Sequence, residues 1–181
     1  MTDPTLTTVE IEPADAARSS VIWMHGLGAD ARDFEPIVPE LKLPAALGVR
    51  FVFPNAPIRP VTINNGMRMR AWYDVLSLDL PRQEDAQGVH ASGQALNLLL
   101  EREKQRGIPA HRIVLAGFSQ GGAMALHTGL RYPERLAGIL ALSCYIPLVA
   151  RLHDERQSAN QSTPVFITHG DCDAVIPMRY G

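Results

Sequence analysis

The sequence predicts an α/β fold built on a mostly parallel sheet. Three observations lead there. Segments apolar throughout or after a leading Arg recur at residues 21–24, 50–53 and 112–116, each closed within two residues by Gly or Pro, as strands buried on both faces require. Helical patterns at 84–106 and through residue 130 stand between or after such runs. Glycine turns at Gly26, Gly117 and Gly170 follow the runs. Strands alternating with helices imply parallel pairing.

Each element has its own local reason. Residues 7–11 alternate apolar and polar, which suggests an edge-like strand. Asp33 is placed to cap a short helix through residue 41, since a carboxylate accepts from the first free N–H groups. Residues 55–83 carry Pro and Gly without a clear period and are expected to be irregular. In 84–106, Val89, Leu96, Leu99 and Leu100 share one helical face and Gly107 stops the helix. Residues 137–142 and 165–168 read as two further strands. Right-handed crossovers bring the carboxyl ends of parallel strands to one edge. The loops at Gly26, Gly117 and Gly170 should gather there, where open α/β sheets hold their sites.

A length of 181 residues suits a single domain, 1–181. The net charge is -2, and the tightest basic group is Arg68 with Arg70. That excludes a polyanion-binding surface, so no nucleic acid partner is expected. Residues 1–17 lack a basic start followed by an apolar core, and no apolar run approaches the roughly 20 residues of a membrane helix. No stable membrane insertion is expected, and the default location is cytoplasmic. Cys144 and Cys172 fit neither a zinc spacing nor a disulfide framework and are expected as free thiols. Oligomeric state is left open by composition, a homodimer included.

Gly117-Phe118-Ser119-Gln120-Gly121 matches G-x-S-x-G between an apolar strand and an amphipathic helix, the setting of a nucleophile elbow. The sharp turn holds the Ser119 hydroxyl clear of the sheet. Positions 117 and 121 pass too close to neighbouring backbone for a side chain, so both are glycine. The bland alternative is a glycine turn with a helix-capping serine. An oxyanion needs two aimed donors. Gln120 N–H, just after the nucleophile, supplies one. The turn His25-Gly26-Leu27-Gly28 supplies the other, assigned to Leu27 N–H. His25 itself is expected to order that turn rather than to move protons.

His169-Gly170-Asp171-Cys172-Asp173 follows the last apolar run. A carboxylate there can orient an imidazole, and Asp171 and Asp173 both compete for the role. The expected order in such a site is Ser, Asp, His, yet all six histidines (25, 90, 111, 127, 153 and 169) precede Asp173. His127 lies two turns into the elbow helix, and His153 is placed in a polar loop.

Five stretches now stand in one order. They are residues 21–30, Phe53-Pro54-Asn55-Ala56-Pro57, Met69-Arg70-Ala71-Trp72-Tyr73-Asp74, the 117–122 elbow, and His169 to Asp173 with Pro177 after it. In these the chain resembles the phospholipase/carboxylesterase family of serine hydrolases, the acyl-protein thioesterase relatives. The resemblance implies an α/β-hydrolase fold, no cofactor and no metal. It implies a small-molecule ester or acyl substrate, with short- to medium-chain carboxylic esters, thioesters or lysophospholipids in range. It matches Ser119 to the nucleophile, Asp173 to the acid, Leu27 and Gln120 to the oxyanion donors, and Trp72 to a substrate-binding position near the site entrance. Met67, Met69 and Leu76 are candidates to line an acyl pocket. Ala174 stands where the family usually has Pro. The resemblance also implies a further helix, a last strand and a histidine-bearing loop, roughly 40 residues beyond Gly181. On this reading the chain is incomplete and close to inactive by itself.

Three other readings were weighed. A catalytically dead relative that binds a lipid or protein partner is the main alternative. A dinucleotide-binding turn at Gly26-Leu27-Gly28 opening a helix lacks the third glycine and the later acidic residue. A metal hydrolase on His169, Asp171 and Asp173 would pack three ligands into five residues.

Overall fold

The computed structural model describes residues 6–77 and 83–180. Among them, six strands form one sheet in the order β1-β3-β2-β6-β7-β8. These are β1 (Thr8–Ile11), β2 (Ser19–Met24), β3 (Val49–Pro54), β6 (Ile113–Phe118), β7 (Gly138–Leu142) and β8 (Val165–Thr168). Every neighbouring pair is parallel except β1 with β3, where Thr8 faces Pro54 and Ile11 faces Phe51. The sheet is therefore mostly parallel, with the alternating 7–11 segment as its antiparallel edge.

The alternation of side chains along a strand splits the core into two layers. On one face Ile22, Met24, Val52 and Leu115 pack with Val89, Leu96, Leu99 and Leu100 of α2 (Ala86–Gln105) and Met124 of α3 (Gln120–Arg131). On the other, Trp23, Phe51, Phe53 and Ala116 pack with Phe34, Ile37 and Val38. The α2 stripe is the one its sequence predicts. Asp85 caps it by accepting the Gly88 N–H at 2.8 Å, and Gly107 takes φ +91° just past its end.

Three expectations are corrected. The helix from Asp33 to residue 41 shrinks to one turn, α1 (Ile37–Glu40), with no side-chain cap. Pro36 disfavours helical backbone at residue 35, so nothing can propagate from Asp33. The 55–83 stretch, of which 78–82 lie outside the described residues, contains a hairpin, β4 (Ile58–Val61) and β5 (Met67–Arg70). Asn65 and Gly66 turn it at φ 54° and 74°, the pair that left-handed hairpin turns favour. His153 sits in a helix, α4 (Val149–Glu155), and not in a loop.

Candidate active site

The elbow is built by steric exclusion. Ser119 has φ 53° and ψ -121°, a conformation that side chains rarely adopt and that clusters at functional sites. A Cβ on Gly117 would lie 2.2 Å from the Gly121 carbonyl carbon, and one on Gly121 would lie 2.3 Å from the Met24 carbonyl oxygen. Helix α3 can start against β2 and β6 only because both positions are glycine. The turn is fastened from the side as well, since Ser119 N–H donates to the Leu142 carbonyl at 2.8 Å. Ser119 makes no side-chain cap to α3. The capping-serine alternative is thereby corrected: the hydroxyl is held at the turn without being used by the helix.

Parallel pairing places the loop after β2 on one flank of the elbow. On the other flank, past β7, comes the loop after β8. The first flank is in contact, for a Cβ on Gly26 would stand 3.6 Å from Ser119 Cβ. His25 sets this turn. Its Nε2 accepts the Ala56 N–H at 3.0 Å, so the ring proton resides on Nδ1, which donates to the Gly26 carbonyl at 2.7 Å. Burial pushes this imidazole below its ordinary value and keeps it neutral. The Gly26 carbonyl and the Leu27 N–H belong to one planar trans peptide. Holding the carbonyl toward His25 directs the N–H the opposite way. The next residue is fixed too, as Gly28 N–H donates to the Arg70 carbonyl at 2.9 Å. No helix opens at Gly26-Leu27-Gly28; α1 begins only at Ile37, which corrects the dinucleotide reading.

Gln120 is the first residue of α3, where backbone N–H groups have no partner inside the helix. Its side chain is buried and clasps the next segment, with Oε1 accepting from Trp72 N–H and Nε2 donating to the Tyr73 carbonyl, both at 2.8 Å. Trp72 is 0% exposed and sends its indole N–H to the His25 carbonyl at 2.9 Å. Trp72 thereby ties the 71–73 segment to the His25 turn. Met67, by contrast, is exposed, and Met69 and Leu76 are half-buried. The 53–57 motif acts in the same neighbourhood, where Asn55 Oδ1 accepts the Ala31 N–H at 3.0 Å.

On the far flank, Asp173 Oδ1 accepts from Val175 N–H at 2.8 Å and Ile176 N–H at 2.9 Å. Those two donors hold its carboxyl below the ordinary aspartate value. Its other oxygen lies 3.5 Å from His169 Nε2, and that nitrogen is 2.5 Å from the Ile176 carbonyl. His169 Nε2 is thus engaged inside its own loop, and Asp171 is exposed. These bonds leave His169, Asp171 and Asp173 poorly arranged as a ligand set, and no group of three or more His, Cys, Asp or Glu side chains able to hold a metal occurs among the described residues. The remaining histidines stand elsewhere: His127 is buried against Gly93 and His90 of α2, and His111 and His153 are exposed.

The phospholipase/carboxylesterase family model matches residues 7–181. The chain belongs to the phospholipase/carboxylesterase family. Within it, acyl-protein thioesterase 1 of Yarrowia lipolytica is 40% identical over 172 residues, covering 93% of this chain and 76% of that protein. The same-named protein of Schizosaccharomyces pombe is 37% identical, covering 95% and 76%. Among solved structures, SOBER1 of Arabidopsis thaliana superposes with a TM-score of 0.85 at 30% identity, covering 91% of this chain and 79% of that one. Acyl-protein thioesterase 2 of Zea mays gives 0.83 at 26% identity, covering 96% and 80%. The family's fold is the α/β-hydrolase fold, and the sheet described above is an instance of it. No helix among the described residues is long and apolar enough to cross a membrane.

Proposed function

We propose that this family member is a serine hydrolase of short- to medium-chain carboxylic esters, with thioesters and lysophospholipids as further acyl substrates. The observation that carries the reading is Ser119 itself, strained at φ 53° with a hydroxyl that caps nothing. In the reaction, Ser119 Oγ attacks the acyl carbonyl while an imidazole takes its proton. The N–H groups of Gln120 and Leu27 hold the oxyanion. The alcohol or thiol departs with that proton, and water then releases the acid from the acyl-enzyme. Asp173 is the carboxylate that orients the imidazole. Both ring nitrogens of His25 are engaged, by the Ala56 N–H and the Gly26 carbonyl, and His169 Nε2 is held at the Ile176 carbonyl. The acyl-protein thioesterase relatives support the thioester part of the range.

The test is a fluorophosphonate probe on the protein and its Ser119→Ala variant. Labelling at Ser119 alone, lost in the variant, supports the reading. Absence of labelling refutes it and leaves a binding protein on a hydrolase fold.

A further inference from the structure

The two donor loops of the proposed site come from different strands. Backbone pairing between β2 and β6 ends at Met24 opposite Gly117, before either donor is reached. Something else must hold Leu27 N–H and Gln120 N–H to a common point. A chain of hydrogen bonds does run between them. It starts at the Gln120 carboxamide, 4% exposed, whose two ends take the Trp72 N–H and the Tyr73 carbonyl. It passes through the Trp72 indole to the His25 carbonyl, and through His25 Nδ1 to the Gly26–Leu27 peptide. Ser92 Oγ donates to the Trp72 carbonyl and steadies the middle of the chain.

We propose that the Gln120 side-chain carboxamide is a positioning group for the oxyanion hole, holding the Leu27 donor in register with the Gln120 donor through Trp72 and His25. This rests on the reading of Leu27 and Gln120 as donors. Charge developing on the carbonyl oxygen rewards donors only when they are aimed beforehand. A displacement near 1 Å costs on the order of 100-fold in rate. A methionine at 120 keeps the backbone donor and nearly the same volume. It removes the carboxamide from the Trp72 N–H and the Tyr73 carbonyl, so the tie between the 71–73 segment and the elbow is lost.

The experiment uses the protein with Gln120→Met, Trp72→Phe and the double variant. It measures kcat and KM on a soluble p-nitrophenyl ester, inhibition by a trifluoromethyl ketone whose adduct places an oxyanion in the hole, and the thermal midpoint. Expected is a fall in kcat of about 10- to 100-fold with KM within about twofold, since the lost interaction is made in the transition state. Ketone affinity should fall in parallel with kcat. Trp72→Phe, which removes only the indole donor, should do the same, and the double variant should lose little beyond the worse single one because both cut one chain. A lowered thermal midpoint with kcat and ketone affinity intact would mean packing alone and overturns the proposal. So would fully additive losses. If the wild-type product shows no turnover that Ser119→Ala removes, the donor assignment fails and the proposal with it. If wild type turns over and Gln120→Met matches it, only the carboxamide role fails.

Discussion

Gly121 lies so close to Met24 that a Cβ on it would stand 2.3 Å from the Met24 carbonyl oxygen. The obstacle is strand backbone, which cannot rotate aside as a side chain can. Gly121→Ala should therefore destabilise the fold by about 2–4 kcal/mol, in the range of severe steric substitutions. Gly138 is the control. A Cβ there meets nothing nearer than the Pro164 carbonyl oxygen at 3.5 Å, and Gly138→Ala should stay within about 1 kcal/mol. Urea midpoints of the two variants decide it.

Glu103 is the buried anion of the molecule's charge network. Its side chain is 0% exposed and pairs at 2.9 Å with both Arg50 and Arg106. Glu103→Ala removes the buried one of the two carboxylates that face the nearly buried Arg50, leaving Glu12, and should cost about 1–3 kcal/mol. The exposed pair Arg32–Glu35 gives the contrast, and Arg32→Ala should change stability by no more than about 1 kcal/mol. Chemical denaturation of both variants measures the difference.

His127 is buried between α2 and α3, where desolvation first, then Arg131 and His90, push its imidazole down to about 4 from 6.5. The unfolded chain takes up this proton below pH 6.5 and the folded chain resists it until about 4. Its contribution is therefore fully present above pH 6.5 and is lost as pH falls through about 4. The separation corresponds to roughly 3 kcal/mol. A plot of unfolding free energy between pH 7 and 4 should slope downward on acidification, and His127→Gln should flatten it. An unchanged slope would show that other groups carry the acid sensitivity.

The two thiols should separate by reactivity. Cys144 is buried and its thiol is pushed up to about 12 by burial, whereas Cys172 is exposed. Reactivity follows the accessible thiolate. A disulfide reagent should titrate one thiol in the native protein and two in denaturant, and Cys172→Ser should remove the fast one. Two fast thiols in the native state would contradict the burial of Cys144.

The parts legible in the sequence are those whose physics is local. The 117–122 elbow could be read because its spacing is local and the Gly117 clash falls on Gly121, four residues on, and the α2 stripe because its four apolar positions share one face. The β4–β5 hairpin carried its signal in Asn65-Gly66, which a search for hydrophobic period passes over. The failed helix at Asp33 was contradicted by Pro36 three residues on. The burial of Trp72 is hidden from the sequence for another reason. Its burial depends on bonds to His25 and Gln120, 47 and 48 positions away, and no pattern around residue 72 encodes them. The same holds for the Gln120 side chain, visible in sequence only as the residue after the nucleophile.

The edge strand β1 is held to the body in an unusual way. Besides its ladder to β3, Glu10 meets Arg102 of α2 at 2.8 Å and Arg106, just past its end, at 2.7 Å, and Glu12, just beyond the strand, meets Arg106 at 2.6 Å and Arg50 at 2.9 Å. Charges this near the surface are screened by dissolved salt, whereas the apolar contacts beneath β6 are not. Ionic strength thus acts on one margin of the molecule and spares its centre. In concentrated salt the first strand should exchange its amide protons sooner, while β6, which leads into Ser119, keeps its own.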